Sequence, residues 1–387
     1  MPHRMPLLYV TTLAYPSRKA TNIQVAANAR EFQHLLGPLF TLSVSADGQN
    51  ELRDLHVETN GLNRLIPWHL ASLAAFFWLP IWIQKKSPQS AFLYFKDFKL
   101  AAIAIFWNGW LFRNRYRIAV EVHHYDALRL EKYVLRHADA AFCITSHLKG
   151  IVEKKIPSSD RLTVVAPDGA NPDAFNVSPN IEELRKELDL PLGAKLIGYT
   201  GSFQTKGNRK GIETAIETLT HLDERCVLVV VGGEPTEIEE KKLLAQRLKV
   251  DRRVLFIGRV AHALIPRYLA SFDLLIGPYP NNEFNSYFTS PLKLFEYMAA
   301  KRPIIVADLP SIRDILDEDT AYLCSSDDPR SYAQAIHRAM ANPDEATLKA
   351  AKAFDLLKEK YTWEARAKNI LSALYGHVPQ QDANQAR

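Results

Sequence analysis

The chain has 387 residues, 47% hydrophobic, 24% charged and 10% aromatic, with enough apolar material for two cores of ordinary domain size. Fully disordered, collagen-like and disulfide-scaffold classes are excluded by that balance. The formal net charge of +5 is uneven: 20 Lys+Arg face 14 Asp+Glu through Phe175, and 28 face 29 in the remainder. Such asymmetry points to an anionic partner, either membrane lipid or a phosphate-bearing substrate. Nucleic acid is not expected, because no basic–aromatic interleaving or DNA-reading module accompanies the charge.

In chain order, the short apolar run near the amino terminus reads as a strand over Leu7–Thr12 and not as a signal peptide. Further strands are predicted at Phe40–Ser45, Phe92–Phe95, Ile118–Val122, Ala140–Ile144 and Leu162–Val165, with helical patterns between them at Ala20–Leu35 and Asp126–His137. Alternation of this kind predicts a parallel sheet covered on both faces. The segment Ile66–Lys86 stands apart. It is apolar almost all round, carries Trp68, Trp78 and Trp82, and ends in Lys85 and Lys86. Pro67, His69 and Pro80 interrupt it, so a spanning helix is not expected. Two readings stay open: a helix buried against the first sheet, or an interfacial helix on anionic membrane. Ala101–Phe112 is expected in the core.

Pro167–Asn180, rich in Pro, Asn and Asp, is a boundary signal, followed by a helix at Ile181–Leu188. The strand–helix rhythm then restarts, with strands at Leu196–Thr200, Val227–Val231, Val254–Ile257, Leu274–Ile276 and Ile304–Val306. Three cysteines, Cys143, Cys226 and Cys324, form no Cys-x-x-Cys and no ligand pair, so they read as reduced buried thiols of a cytosolic protein.

Two motifs carry chemistry. Gly198–Leu219 runs strand, glycine turn at Gly201, basic loop and helix; Lys206, Arg209 and Lys210 crowd the helix start, where free N–H groups favour an anion. The Walker spacing is absent, and the glycines do not follow G-x-G-x-x-G. Asn285–Asp308 leads through Ser290, expected as N-cap, and Pro291 into a helix, leaving the amides of Leu292 and Lys293 for a second anion. Glu296 follows in a hydrophobic neighbourhood and could accept ribose hydroxyls. The Asp317–Asp319 run has the Asp-x-Asp form of metal-dependent transferases, but it falls in a surface loop.

These segments, with Val227–Gly233, Val254–Val260, Val120–His124 and Tyr361–Ile370, together resemble a glycosyltransferase of family 4: GT-B fold, retaining, nucleotide-sugar dependent. The resemblance implies two Rossmann-like domains facing across a cleft. The expected division is an acceptor-side domain over 1–175, a linker over 176–192 and a nucleotide-sugar domain over 193–361, with a helix at 362–377 packing back on the first domain. It implies that Lys210 holds the donor diphosphate, assisted by Lys206 or Arg209 beside Gly201 and Ser202. Gly232 and Gly233 would lie against the donor, and Arg259 and Val260 would border the base. Ser290 and Pro291 would open the second anion site, Leu292 and Lys293 would offer backbone donors to the distal phosphate, and Glu296 would bind the ribose. His123 would touch the donor sugar, making His123, Lys210 and Glu296 the catalytic set.

The sequence departs from the family at Phe288, where the first carboxylate of its Glu-x7-Glu pair is missing, and in the opening loop Tyr15–Asn22, which lacks the usual Gly-Gly and carries Arg18 and Lys19 on the acceptor side. The activity implied is transfer of a hexose-type sugar from a UDP- or GDP-sugar to a glycan or lipid-linked acceptor, with no tightly bound cofactor and no metal. The setting implied is cytoplasmic, with contact to the inner membrane face where Ile66–Lys86 is interfacial. A GT-B epimerase or hydrolase, or a non-catalytic nucleotide-sugar-binding partner, are the alternatives.

Overall fold

A computed structural model describes residues 5–11, 20–44, 57–59, 71–158, 161–177 and 180–376, dividing the chain into two compact units. The first comprises Met1–Pro167 with Trp363–Arg387, and the second Asp168–Thr362.

In the first unit, β1 (Leu7–Thr11), α1 (Ala20–Leu36), β2 (Phe40–Val44), β3 (Val57–Thr59), α2 (Ala71–Lys86), β4 (Phe92–Phe95), α3 (Phe98–Trp110), β5 (Arg117–Val122), α4 (Arg129–His137), β6 (Ala140–Cys143), α5 (Ser146–Lys155) and β7 (Leu162–Val165) alternate along the chain. The strands form one parallel sheet in the order β3-β2-β1-β4-β5-β6-β7. β1, β4 and β6 are buried throughout, which is why they read as plain apolar runs. Tyr9, Phe32, Tyr94 and Phe142 pack edge-on or tilted at their centre.

The second unit opens with α6 (Ile181–Glu187), then β8 (Lys195–Thr200), a short ribbon of β9 (Gln204–Thr205) and β10 (Asn208–Arg209), α7 (Ile212–Thr218), β11 (Cys226–Val231), α8 (Pro235–Arg247), β12 (Val254–Gly258), α9 (Ile265–Ser271) and β13 (Leu274–Gly277). It continues with α10 (Glu283–Tyr287), α11 (Leu292–Ala299), β14 (Ile304–Ala307), α12 (Pro310–Arg313), β15 (Tyr322–Cys324), α13 (Pro329–Ala341) and α14 (Pro343–Lys360). Its parallel sheet runs β12-β11-β8-β13-β14-β15. α15 (Trp363–Gly376) returns to the first unit, where Ala367, Ile370 and Leu374 join the core beside α1.

Both sheets have the doubly wound order, which reverses at β1/β4 in the first unit and at β8/β13 in the second. Chain leaving the carboxyl ends of the two strands at such a point diverges to opposite faces, opening a crevice suited to a ligand.

Several expectations need correcting. Residues 168–175, expected in the first domain, and 176–192, expected as a linker, both belong to the second unit. Arg185 of α6 donates to Ser271 O (2.9 Å) and Asp273 Oδ2 (2.7 Å), and the same carboxylate oxygen accepts the N–H of Leu196 (2.7 Å), pinning the segment to the second unit. Ala101–Phe112 is not wholly core. α3 buries Leu100, Ala101, Ala104 and Ile105 but exposes Phe106, Trp110 and Leu111. α2 behaves alike: Leu79, Trp82 and Ile83 are buried, whereas Phe77 is 65% and Ile81 69% exposed. An all-round apolar helix thus buries one face in the fold and leaves the other uncovered among the described residues. Residues 66–70, Trp68 included, lie outside them. Among the described residues no helix is long and apolar enough to cross a membrane. The three cysteines are buried and unpaired, and burial pushes the Cys143 and Cys324 thiols up to about 12.

Candidate functional site

The crevice at the carboxyl ends of β8 and β13 in the second unit gathers most of the predicted residues. Tyr297 of α11 braces it from beneath: its hydroxyl accepts the Thr200 N–H (3.0 Å) and donates to Ile276 O (3.3 Å), tying the two strand ends together. Two glycines are required by the backbone. Gly232, ending β11 at φ +133°, would put a Cβ 2.1 Å from Gly201 O; Gly211, at φ +77° before α7, would put one 1.6 Å from Pro278 O. Gly233 continues the first of these turns.

Lys210 lies at the centre. It is only 6% exposed, donates to Asn285 Oδ1 (3.1 Å), and has its Nζ 5.0 Å from the Phe284 ring centre and 5.5 Å from that of Tyr279. Asn285 is itself fixed by bonds to Arg209 O and Pro280 O (both 3.1 Å). Among the described residues no carboxylate bonds this lysine, and burial lowers its pKa to about 8. A buried ammonium held by one amide oxygen and two rings is a poor resting state and a good receiver for an anion.

The flanking cations do not join it. Lys206 is exposed in the left-handed conformation (φ 50°), and Arg209 points outward, 3.9 Å from Glu213. Ser202 is also exposed. Ser290 is not the N-cap of α11. Pro291 occupies that position without a side-chain cap, while Ser290 Oγ accepts the Asp168 N–H (2.9 Å). Leu292 and Lys293 begin α11 as expected. Glu296 bonds His262 Nε2 (3.0 Å), a partner the sequence reading missed; this bond raises the His262 pKa, more than burial lowers it. Arg259, next to Val260, pairs with Glu234 (2.5 Å). Phe288, in place of the family carboxylate, closes α10.

In the first unit, His123 follows β5. Its Nε2 lies 2.9 Å from Glu121 Oε2. Glu121 is fully buried, accepts from Tyr94 Oη (2.6 Å) and Arg366 Nη2 (3.1 Å), and lies 4.0 Å from Lys96 Nζ. Burial drives its carboxyl up, but Arg366, the His123 bond and Lys96 outweigh burial and hold it well below the usual range. Burial, then Lys96, bring His123 down to about 4 against the pull of Glu121. The ring is therefore neutral near pH 7, and donating Nε2–H to the carboxylate leaves Nδ1 as an acceptor. His124 turns to Asp126 (3.5 Å). Arg18 and Lys19 lie outside the described residues.

The Asp317–Asp319 run is structural: Asp317 caps its own turn through Thr320, Glu318 pairs with Arg313 and Asp319 with Lys352. Among the described residues, His124, Asp126 and Glu131 bring potential ligand atoms within 4.8 Å of one another. Glu131 is already engaged, accepting the amides of Asp126 (3.0 Å) and Leu128 (3.2 Å) at the start of α4.

Residues 194–342, the stretch that builds the β8/β13 crevice, match the family model described as Glycosyl transferases group 1. This segment is a group 1 glycosyl transferase domain. The chain is 27% identical over 253 residues to a D-inositol 3-phosphate glycosyltransferase of Xylanimonas cellulosilytica, covering 62% of this chain and 58% of that protein. It is 24% identical over 219 residues to a putative teichuronic acid biosynthesis glycosyltransferase, TuaH, of Bacillus subtilis, covering 57% and 53%. The chain thus spans little more than half the length of these relatives. Among solved structures, the Anabaena HepE protein in complex with UDP superimposes with a TM-score of 0.75 at 17% identity, over 96% of this chain and all of that one, and the same protein is known with UDP-glucose. At that identity the likeness is one of fold: α/β, with parallel sheets in two domains, the GT-B class. The group 1 domain contains Lys210, Lys293 and Glu296 together with the glycine turns.

Proposed function

We propose that the protein is a retaining glycosyltransferase that moves a hexose-type unit from a UDP- or GDP-sugar to a glycan or lipid-linked acceptor in cell-envelope or extracellular polysaccharide synthesis. The observation that carries this reading is Lys210, a buried cation bonded to no carboxylate among the described residues, at the switch point of a group 1 glycosyl transferase domain. The UDP and UDP-glucose complexes of a protein of the same fold support the donor class. The D-inositol 3-phosphate named for one relative suits a phosphate-bearing acceptor, as does the positive excess of the first 175 residues.

In this reading the bond from the sugar anomeric carbon to the diphosphate breaks as an acceptor hydroxyl attacks from the same face. The hydroxyl proton passes to the departing phosphate oxygen, and configuration is retained. Lys210 stabilises the charge that develops on the diphosphate, so that no metal is needed. Glu296, oriented by His262, accepts the ribose hydroxyls. His123, neutral and held by Glu121, orients the donor sugar.

The test is a panel of UDP- and GDP-sugars incubated with lipid-linked and glycan acceptors. Wild type should give a glycoside of retained configuration, unchanged by EDTA. Lys210→Met should lose about 2–4 kcal/mol of transition-state stabilisation. Near-normal turnover in that variant overturns the assignment, and product formed without acceptor favours an epimerase or hydrolase.

A membrane contact is favoured by the uncovered face of α2 and α3. Phe77, Ile81, Phe106 and Trp110 are exposed, and Lys85, Arg113 and Arg115 lie exposed near the helix ends. In this reading the protein works at the cytoplasmic membrane surface. Flotation with anionic vesicles should recover wild type and lose the Phe77→Ser/Trp110→Ser variant; no recovery of wild type removes the contact.

A further inference from the structure

Lys293 was expected to offer only its backbone N–H. Its side chain presents a second anomaly in the same crevice. The Nζ atom is sealed from solvent and has no hydrogen-bond acceptor among the described residues. It lies 3.7 Å from the ring centre of Tyr199 and 5.7 Å from that of Tyr279, the ring that Lys210 approaches at 5.5 Å. A Cβ added to Gly201 would meet Lys293 Cε at 3.1 Å and Nζ at 3.2 Å. The ammonium therefore rests against the glycine turn that ends β8, in space that only glycine leaves.

Such an arrangement is costly, and a ring face offsets it only in part. The charged groups acting on it are Lys210, which repels it, and Glu296, which attracts it, and the rings of Tyr199 and Tyr279 face it. Burial, then Lys210, hold its pKa well below the usual lysine range, against Glu296. Two cations are thus kept side by side with no bonded counter-charge among the described residues. Nothing in the packing of α11 requires this, since a methionine would fill the same space.

We infer that the Lys293 side chain is a second diphosphate-binding cation, which together with Lys210 clamps the two phosphoryl groups of the nucleotide donor. The inference rests on the donor-site reading above and adds to it the ligand atom and its position. The rest of the loop offers no comparably buried cation: Ser202 and Lys206 are exposed, and Arg209 turns to Glu213. One cation of the clamp thus comes from the loop after β8 and the other from helix α11. A diphosphate fits because the two ammonium groups flank one ring and could each take a different phosphoryl group.

The experiment is calorimetric titration of the full chain and its Lys293→Met variant with UDP, UMP, GDP and GMP. The substitution keeps length and apolar volume, and the ligand-free melting temperature should be equal or higher. For whichever diphosphate binds wild type, the variant should weaken binding about tenfold or more, and its monophosphate by less than about twofold. At pH 8, wild type should take up protons on binding, read from the difference between Tris and HEPES buffers, and the variant should take up fewer. Equal diphosphate affinity in both proteins overturns the inference, as does an equal loss for mono- and diphosphate; in either case Lys210→Met, still weakening diphosphate binding, leaves the donor reading standing. Wild type that binds none of the four nucleotides overturns the donor reading and the inference together.

Discussion

Arg366→Met isolates the buried charge network beneath His123. Arg366 of α15 and Glu121 of β5 are 2% and 0% exposed, with Nη2 and Oε1 3.1 Å apart. Arg366 also donates from Nε to Pro167 O (3.0 Å). Removing the guanidinium leaves a carboxylate in the core with, among the described residues, only Tyr94, His123 and a more distant Lys96 to meet it. Breaking one side of such a pair costs about 3–5 kcal/mol, more than the methionine's packing can return. In wild type the Glu121 pKa is depressed, so its contribution is complete above the unfolded value and is lost as pH falls through the folded one. In the variant burial dominates and the folded pKa rises. The carboxyl then takes up a proton as pH falls, and the stability gap between the two proteins narrows.

All six tryptophans, at 68, 78, 82, 107, 110 and 363, belong to the first unit. Tryptophan fluorescence during urea unfolding therefore follows the unit that holds the pair. The expected result is a loss of about 3–5 kcal/mol at pH 7 that shrinks toward pH 5. Adding Glu121→Gln should recover part of the loss, because no unpaired charge remains. A loss below about 1 kcal/mol at pH 7, or one that does not change with pH, refutes the claim that Arg366 is the principal counter-charge of Glu121.

His123, folded with a pKa near 4 against an ordinary 6.5, binds its proton more weakly than the unfolded chain does, so it costs stability as pH falls through that window. His123→Gln should remove up to ~3 kcal/mol of the first unit's acid sensitivity between pH 6.5 and 4, measured by the same fluorescence unfolding. Lys210, folded near 8 against 10.5, is destabilising below pH 8. Lys210→Met should raise the ligand-free melting temperature of the second unit at pH 7 while slowing transfer by the equivalent of about 2–4 kcal/mol, and a fall in melting temperature would assign the lysine a structural role. Gly211→Ala must fit a Cβ into Pro278 O at φ +77°, and should cost more than ~1 kcal/mol in calorimetric unfolding with a loss of nucleotide binding.

The strands were legible because parallel sheets buried on both faces are written as unbroken apolar runs. Phe92–Phe95 and Leu162–Val165 are found over the predicted residues, and most others differ by one or two. β3 and β15 escaped because each is three residues at a sheet edge, too short for a pattern. Lys210 was legible from the Lys-Gly pair after a glycine turn. Glu121 was not: one acid between two valines in a strand reads as an outward-facing residue, and its counter-ion lies 245 positions along the chain. Lys293 was hidden differently. Three residues before Glu296 on a helix, it has the spacing of a surface ion pair, and only the bare backbone of Gly201 lets it turn inward. His262 gave no signal, since its bond to Glu296 depends on how the chain turns after β12.

The two candidate sites thus treat buried charge in opposite ways, although elsewhere the second unit pairs buried Arg185 with Asp273. In the first, every link around Glu121 is made within the fold: Tyr94, His123 and Arg366 bond it and Lys96 lies near. In the second, Lys210 is buried and the Lys293 Nζ is sealed, and among the described residues neither bonds a carboxylate. A ligand that supplies the missing anion must stabilise the folded second unit by mass action, by about 2.7 kcal/mol at a hundred times its Kd. Because no tryptophan lies in that unit, saturating UDP or GDP should raise the transition seen by calorimetry or far-ultraviolet circular dichroism while leaving the tryptophan-detected one in place. A diphosphate that shifts only the tryptophan signal would put its site in the first unit, and would contradict the reading of Lys210 as the donor's anchor.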